Sequence, residues 1–243
     1  MIRVTFDGPV LIVAFSRPEK RNALTAAMLD TMAAALRVSS ARAVLLTGDG
    51  EVFSSGFDLS ACRENSDALA DLLHALARLS RAMREAPRPV VACAHGAALA
   101  GACALVASCD VVVTEADARL GYPVVKLGIS PAISAPVLAS AAGDGPARAR
   151  MLDSGTITGE QALRIGLAHE CLPDVQACRE RALQLAHELA AKPPHALAAT
   201  KAWLREVDDH VSPARLDAAL KASVSLVGSP EERDRLAQLW AKK

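Results

Sequence analysis

Aromatic residues are scarce in this chain: four Phe, two Trp and one Tyr among 243 residues. A core of that size then has to be filled by small aliphatic side chains, which demands close packing between elements instead of a few large anchors. Net charge is also missing, with 27 Lys and Arg set against 27 Asp and Glu in an interspersed pattern. Without a basic face, neither a nucleic acid nor an anionic membrane is an expected partner. The six cysteines (Cys62, Cys93, Cys103, Cys109, Cys171 and Cys178) contain no CxxC pair, so the usual sequence signal for a zinc or dithiol redox centre is lacking and no metal is expected. Set mostly in apolar surroundings, they read as reduced, buried thiols of a reducing compartment. The opening MIRVTFDG lacks the apolar run of a signal peptide and the pattern of a transit peptide. The expectation is a cytoplasmic protein.

What the chain does have is a stretch around which the rest is arranged, residues 89–110, PVVACAHGAALAGACALVASCD. Its apolar, β-branched start suits a buried strand. His95 and Gly96 follow, then a run of tiny residues (Ala97, Ala98, Ala100, Gly101, Ala102), then a short helix predicted to end near Ser108. About twenty residues without a charge also fit a membrane span, but the run holds only two Leu and contains His95. A tightly packed core helix without function is the other plain reading. A strand, a small-residue turn and a buried helix bring backbone N–H groups to a ligand with no side chain in the way. An oxygen acquiring negative charge is one thing such a corner can hold.

Elsewhere, two short strands are predicted around residues 4–6 and 10–15, joined by an Asp7-Gly8 turn. A polar loop spans 16–22. A helix is predicted from Thr25 to Val38, a strand at 43–47, and an irregular segment, FSSGFDL, at 53–59. A long amphipathic helix covers 67–85, stopped by Pro87 and Pro89. Another buried strand follows at 110–114, then a loop through 118–123. Alternating strands and helices make the first two thirds α/β in character. From Pro131 onward the chain reads as helical, with a capping box at Thr158 and Gln161, a C-terminal cap at Gly166, and helices at 175–191, 194–207 and 213–227. The last helix opens with Ser229 and Pro230.

Four segments taken together resemble the crotonase (enoyl-CoA hydratase/isomerase) superfamily: SRPEKRNALT at 16–25, GDGEVFSSGFDLS at 48–60, the 89–110 stretch, and LGYPVVKLGISP at 120–131. They keep the family's order and spacing, and MLDSGTITGEQALRIGLAHE at 151–170 is similar to a further family passage. The resemblance implies an α/β fold, a crotonase-like spiral of ββα units over 1–190 with a C-terminal helical oligomerisation region over 191–243. It implies a homotrimer or a dimer of trimers, and an acyl-CoA thioester bound as substrate with no separate cofactor. Lyase or isomerase chemistry of fatty acid metabolism goes with it. The tail after about residue 190 fits either packing on a neighbouring subunit or folding back on its own core.

By the same resemblance, the backbone N–H groups of Phe57 and Gly101 polarise the thioester carbonyl. CoA contacts fall in the loop carrying Lys20, Arg21 and Ala23 and along Gly56, Asp58, Leu59 and Ser60. A lysine often found in the family where Ser60 stands is missing, and Ala100 occupies a place where glycine is common. Deprotonation beside a thioester, addition to an enoyl thioester and loss of CO₂ from a malonyl-type thioester all produce an enolate. Two preorganised donors aimed at its oxygen each supply a few kcal/mol of stabilisation.

The family's proton-transfer carboxylates are absent. The positions of the two hydratase glutamates fall on Ala104 and Val124, and that of a dienoyl-CoA isomerase aspartate falls near Ala132. General acid–base catalysis contributes about 10²–10⁴-fold, so ordinary hydration and simple isomerisation are not the expected reactions. Tyr122 and His95 are the candidate proton carriers, each also readable as a satisfied core residue. His74 and Asp67 are weaker candidates, and Ser130 and Ser134 are placed to hold a water. A Ser–His–Asp triad has no nucleophile-elbow context here. Two functions follow: an enzyme whose reaction needs little side-chain acid–base help, such as decarboxylation or hydrolysis by bound water, or a non-catalytic acyl-CoA-binding homologue.

Overall fold

Short apolar runs, buried on both faces, form the centre of the main sheet. The computed structural model describes residues 1–37, 40–63, 65 and 67–241. Strands β1 (Ile2–Asp7) and β2 (Val10–Phe15) pair antiparallel across the Asp7-Gly8 turn. β3 (Ala43–Gly48), β4 (Val90–Ala94) and β6 (Val111–Glu115) then add in parallel, and β9 (Glu170–Leu172) closes the sheet in the order β1-β2-β3-β4-β6-β9. A second, three-stranded sheet is built from β5 (Ala97–Leu99), β7 (Arg119–Gly121) and β8 (Thr156–Thr158). The architecture is mixed α/β, as the alternation of strands and helices implies.

The small sheet corrects the sequence reading at three points. Residues 97–99 and 119–121 are strands, not turn and loop, and the region after Pro131 is not purely helical because it contains β8 and β9. Three-residue strands carry no period of their own. They exist because β7 offers both edges, parallel to β5 and antiparallel to β8.

Helices cover both faces of the large sheet. On one lie α1 (Ala26–Ala35), α2 (Ala68–Glu85) and α3 (Gly101–Ala107), burying Leu11, Val13, Phe15, Val44, Leu46, Ala92 and Ala94 of the strands. α2 does so through Leu76, Leu79 and Met83 of its predicted stripe, while Leu69 and Leu73 of the same stripe pack with Ile129 and Leu236. α1 starts with Thr25 accepting the Met28 N–H, and the predicted helix end at Val38 lies outside the described residues. On the other face lies α7 (Val175–Ala190), whose Cys178, Ala182, Ala186 and Ala190 recur every four residues and form its buried ridge. Side chains this small let the helix sit close over Val91, Cys93 and Val113.

α4 (Ala135–Ala142), α5 (Asp144–Leu152) and α6 (Gly159–Arg164) follow the second sheet's strands, α6 with the predicted capping box of Thr158 and Gln161. The last three helices, α8 (Pro194–Glu206), α9 (Pro213–Val224) and α10 (Pro230–Ala241), fold back on the same chain. α9 packs on α2 and on residues 131–134, and α10 packs on 125–127. α8 is tied by Lys201, whose ammonium donates to the carbonyls of Met83 and Arg88. It leaves Trp203, Leu204 and Val207 exposed. No helix among the described residues is long and apolar enough to cross a membrane; the 89–110 stretch is divided among β4, β5 and α3.

Candidate active site

Asn22 sets the geometry of the first loop. It is fully buried, and its side-chain amide donates to the carbonyls of Asp49 (2.9 Å) and Val52 (2.8 Å) while its Oδ1 accepts the Arg17 N–H. Its own carbonyl accepts from Ser54 Oγ at 2.8 Å, and that hydroxyl in turn accepts the Gly56 N–H at 3.2 Å. The loop is thereby locked to the segment that carries Phe57. Leu24 donates to the Gly56 carbonyl and accepts from the Asp58 N–H, both at 2.8 Å. In a parallel bridge the intervening residue points its backbone the other way. The Phe57 N–H therefore faces away from this pairing, and no acceptor for it is found among the described residues.

The glycine-rich corner is held against the same segment. Ser54 donates to the Ala97 carbonyl at 2.9 Å and accepts from Leu99 N–H at 3.1 Å, and Ala100 donates to the Gly121 carbonyl at 2.8 Å. Ala100 adopts φ 54°, ψ −119°, a backbone region costly for any residue with a Cβ. That turn reverses the chain so that Gly101 becomes the first residue of α3, where an N–H has no intrahelical partner. The two segments touch. A Cβ on Gly56 would lie 2.9 Å from the Leu99 carbonyl oxygen, and one on Gly101 would lie 2.7 Å from the Phe57 ring. Glycine at both places is what allows the approach.

Beside this contact opens a cleft of about 500 Å³ lined by Arg17, Lys20, Arg21, Ala23, Ser55, Phe57, Asp58, Leu59 and Ser60, among others. The structure brings the sequence-predicted loop residues together here; Gly56 lies behind the wall, beneath Leu99 and Ala100. Asp58 is tied up: its carboxylate bonds Arg17 at 3.0 Å and accepts from the Ser60 hydroxyl at 2.6 Å. Burial pushes its pKa up, but the bonds from Ser60 and Arg17 outweigh burial and hold it below the usual carboxylate range. Six further wall residues were not anticipated: Arg17, Glu19, Ser55, Arg63, Leu239 and Trp240. Arg17 sat within the quoted 16–25 segment and was passed over. Arg63 stacks over Trp240 at 5.4 Å, a contact between positions so distant that no local pattern announces it.

Two of the three positions without acids have apolar surroundings, while the third, Ala132, shares its cavity with Glu231. Ala104 is buried in α3, while Val124 packs against the cluster of Leu69, Leu73, Ile129 and Leu236, which joins α2 to α10. Ala132 and Ser130 line a second cavity of about 400 Å³ with Ile129, Met151 and Leu226. His74 and Asp67 are exposed on α2 and its N-terminal flank.

The two candidate proton carriers fare differently from the loop residues. His95 is fully buried, but it follows Val91 and Cys93 on the α7 side of β4, away from the cleft. Its Nε2 receives a hydrogen bond from Arg179 at 2.9 Å. A guanidinium only donates, so Nε2 accepts and the ring proton sits on Nδ1, directed at the Cys93 carbonyl 3.2 Å away. Both ring nitrogens are thus occupied with structural partners. Tyr122 is 1% exposed, and its hydroxyl has no hydrogen-bond partner among the described residues. Burial raises the phenol well above its usual range, with the Cys103 thiol adding to the effect. Neither His95 nor Tyr122 is a wall residue of the cleft.

Comparison with known proteins fits this geometry. The sequence profile of the enoyl-CoA hydratase/isomerase family matches residues 5–237. The chain is 33% identical over 229 residues to the 2,3-dehydroadipyl-CoA hydratase of Escherichia coli, covering 92% of this chain and 89% of that one. It is 30% identical over 202 residues to the short-chain-enoyl-CoA hydratase of Clostridium acetobutylicum, covering 80% and 77%. Among solved structures, an enoyl-CoA hydratase/isomerase from Xanthobacter autotrophicus superposes with a TM-score of 0.87 at 28% identity, over 100% of this chain and 98% of that one.

Proposed function

The chain belongs to the enoyl-CoA hydratase/isomerase family, and from that premise we propose that it stabilises the enolate of an acyl-CoA thioester between the backbone N–H groups of Phe57 and Gly101. The observation that carries this reading is the contact of the 56–57 segment with the 99–101 corner, with both amides free of protein acceptors among the described residues. Lys20 and Arg21, on the cleft wall and unlike Arg17 without an ion-pair partner among the described residues, are suited to the phosphates of CoA.

The reaction on this reading is one that asks little of side chains as acids or bases. Ala104, Val124 and Ala132 can neither give nor take a proton, the Asp58 carboxylate is held by Arg17 and Ser60, and the other carboxylates nearby are Glu19 on the cleft wall and Glu231 at the second cavity. Decarboxylation of a malonyl-type thioester needs only enolate stabilisation in its first step, and hydrolysis needs a positioned water. Hydration and double-bond migration need a proton carrier, and Tyr122, two residues before Val124, is a buried group whose hydroxyl has no partner among the described residues. The same absent carboxylates favour a second reading, an acyl-CoA-binding protein without turnover. The exposed Trp203, Leu204 and Val207 of α8 support assembly as a homotrimer or dimer of trimers.

The test is to incubate the purified protein with crotonyl-CoA, a 3-enoyl-CoA and methylmalonyl-CoA while measuring binding of each in parallel. Turnover of methylmalonyl-CoA with none of crotonyl-CoA supports the enzyme reading. Binding of all three without turnover supports the second. Rapid hydration of crotonyl-CoA contradicts the claim that the site lacks an acid–base pair.

A further inference from the structure

The chemistry-bearing groups that the cleft does not use are gathered behind the sheet. Cys93, in the middle of β4, and Cys178, in the first turn of α7, are 1% and 0% exposed, and their sulfurs are 3.4 Å apart. Cys93 Sγ also lies 3.8 Å from His95 Nδ1, and His95 is held by Arg179, which donates as well to the carbonyls of Gly48 and Gly50. Glu115 completes the group, with one carboxylate oxygen accepting the Gly96 N–H at 2.7 Å and the other without a partner among the described residues.

We infer that Cys93 and Cys178 are a modification site, a dithiol that a peroxide converts into a disulfide tying α7 to the central sheet. The two sulfurs are already in contact, so the bond requires only a side-chain adjustment of about an ångström towards the usual disulfide length of about 2.05 Å. The pair also differs from the other thiols. Cys103 is wrapped in apolar core, where burial raises its pKa to about 12, and Cys109 is raised by burial as well. Within the pair, the hydrogen bond from the Cys178 thiol lowers Cys93 despite burial, and the same bond raises Cys178. The contact assigns Cys93 the nucleophile's role and Cys178 that of the resolving thiol, and because both are buried the peroxide reaches them through local opening of the α7–sheet packing.

The step balances as follows. The Cys93 thiolate attacks one peroxide oxygen, the O–O bond breaks, and Cys93 becomes a sulfenic acid while hydroxide departs and takes up the Cys93 proton as water. Cys178 then loses its proton and its sulfur attacks Cys93 Sγ. The S–O bond breaks and the departing hydroxide leaves as a second water. Two electrons pass from the two sulfurs to the peroxide oxygens.

Treat the full-length protein with hydrogen peroxide, block remaining thiols after denaturation, and map peptides without reduction. The expected result is a mass lower by two hydrogens, a bridge between Cys93 and Cys178, and recovery with dithiothreitol. Closing so long a loop is expected to raise the melting temperature by about 5–10 °C. In Cys178→Ser, whose side chain is nearly isosteric, peroxide leaves a sulfenic acid on Cys93 that a 1,3-diketone traps. Cys93 and Cys178 both recovered as free thiols, a bridge through Cys62 or Cys171 instead, or no rise in melting temperature would each overturn the inference. The map of the unmutated chain decides the matter even if the variant fails to fold.

Discussion

The two faces of the six-stranded sheet are made from the same strands and divide the chemistry unequally. Towards α1, α2 and α3 the strands send Val90, Ala92 and Ala94, and α3 brings Ala104, which like Val124 and Ala132 carries no ionisable group. Towards α7 the same strand sends Val91 and Cys93, followed by His95, and there Arg179, Glu115 and Cys178 meet it. A cluster of buried titratable side chains lies on the α7 face, whereas the cleft offers backbone amides beside a paired Asp58 and an exposed Glu19. The lesson is that titratable groups in this chain serve structure, and that catalysis on the proposed reading is left to the main chain. Each face can be perturbed separately, which makes the division testable.

The largest effect is expected from Gly101→Ala. The new Cβ would sit 2.7 Å from the Phe57 ring and drive the two segments apart. Loss of one aligned oxyanion donor costs about 10²–10³-fold in kcat, measured on whichever thioester the wild type turns over. Binding of CoA itself should change little. An unaltered kcat would break the comparison from the cleft side.

Arg179→Met attacks the opposite face. It strips the Gly48 and Gly50 carbonyls and His95 Nε2 of their common donor. A charged donor of this kind is worth about 2–3 kcal/mol, which denaturant unfolding would read as a lower midpoint, with kcat preserved in the folded fraction. A kcat loss as large as that of Gly101→Ala would mean that the α7 face takes part in the chemistry.

Ala100→Gly should act more mildly and in the opposite direction. Relief of φ 54° at a residue with a Cβ is worth about 1 kcal/mol, partly offset by the greater freedom of glycine in the unfolded chain. A small rise in melting temperature with turnover maintained is the expected result.

Glu115→Gln gives the smallest effect and a pH signature. Burial holds the Glu115 carboxyl above its ordinary range, so the folded chain keeps this proton more readily than the unfolded one. Stability from this group is present below the unfolded carboxylate range and is lost as pH rises through the folded value. Glutamine keeps an acceptor for Gly96 N–H and cannot ionise. Its advantage over wild type, about 1 kcal/mol or less, should appear at pH 8 and shrink towards pH 4.5 in paired melting curves. The reverse trend would show that the carboxylate is stabilised where it lies.

How much of this was legible beforehand depends on length and distance. The α2 stripe and the β4 run were readable because a period repeated over 18 residues or a bounded apolar run is a strong local signal. β5, β7 and β8 were not, since three residues show no period and their state is set by partners up to tens of residues away. In the site, Phe57 and Gly101 came from a family resemblance, because a backbone donor leaves no trace in side-chain identity. The side of the sheet on which His95 falls was available in principle: it shares parity with Val91 and Cys93 along the strand. Trp240 at the cleft had no local sign at all.

The central claim is that two main-chain amides, and no carboxylate, meet the thioester oxygen. A crystal structure with a non-reactive thioether analogue of an acyl-CoA would leave that oxygen's site empty, so the direct measurement uses a bound acyl-CoA that retains its carbonyl. The account predicts Phe57 N and Gly101 N both about 2.7–3.1 Å from the thioester oxygen, with no Asp or Glu oxygen in reach of the α- or β-carbon. A carbonyl bound elsewhere, or a carboxylate touching either carbon, would contradict it.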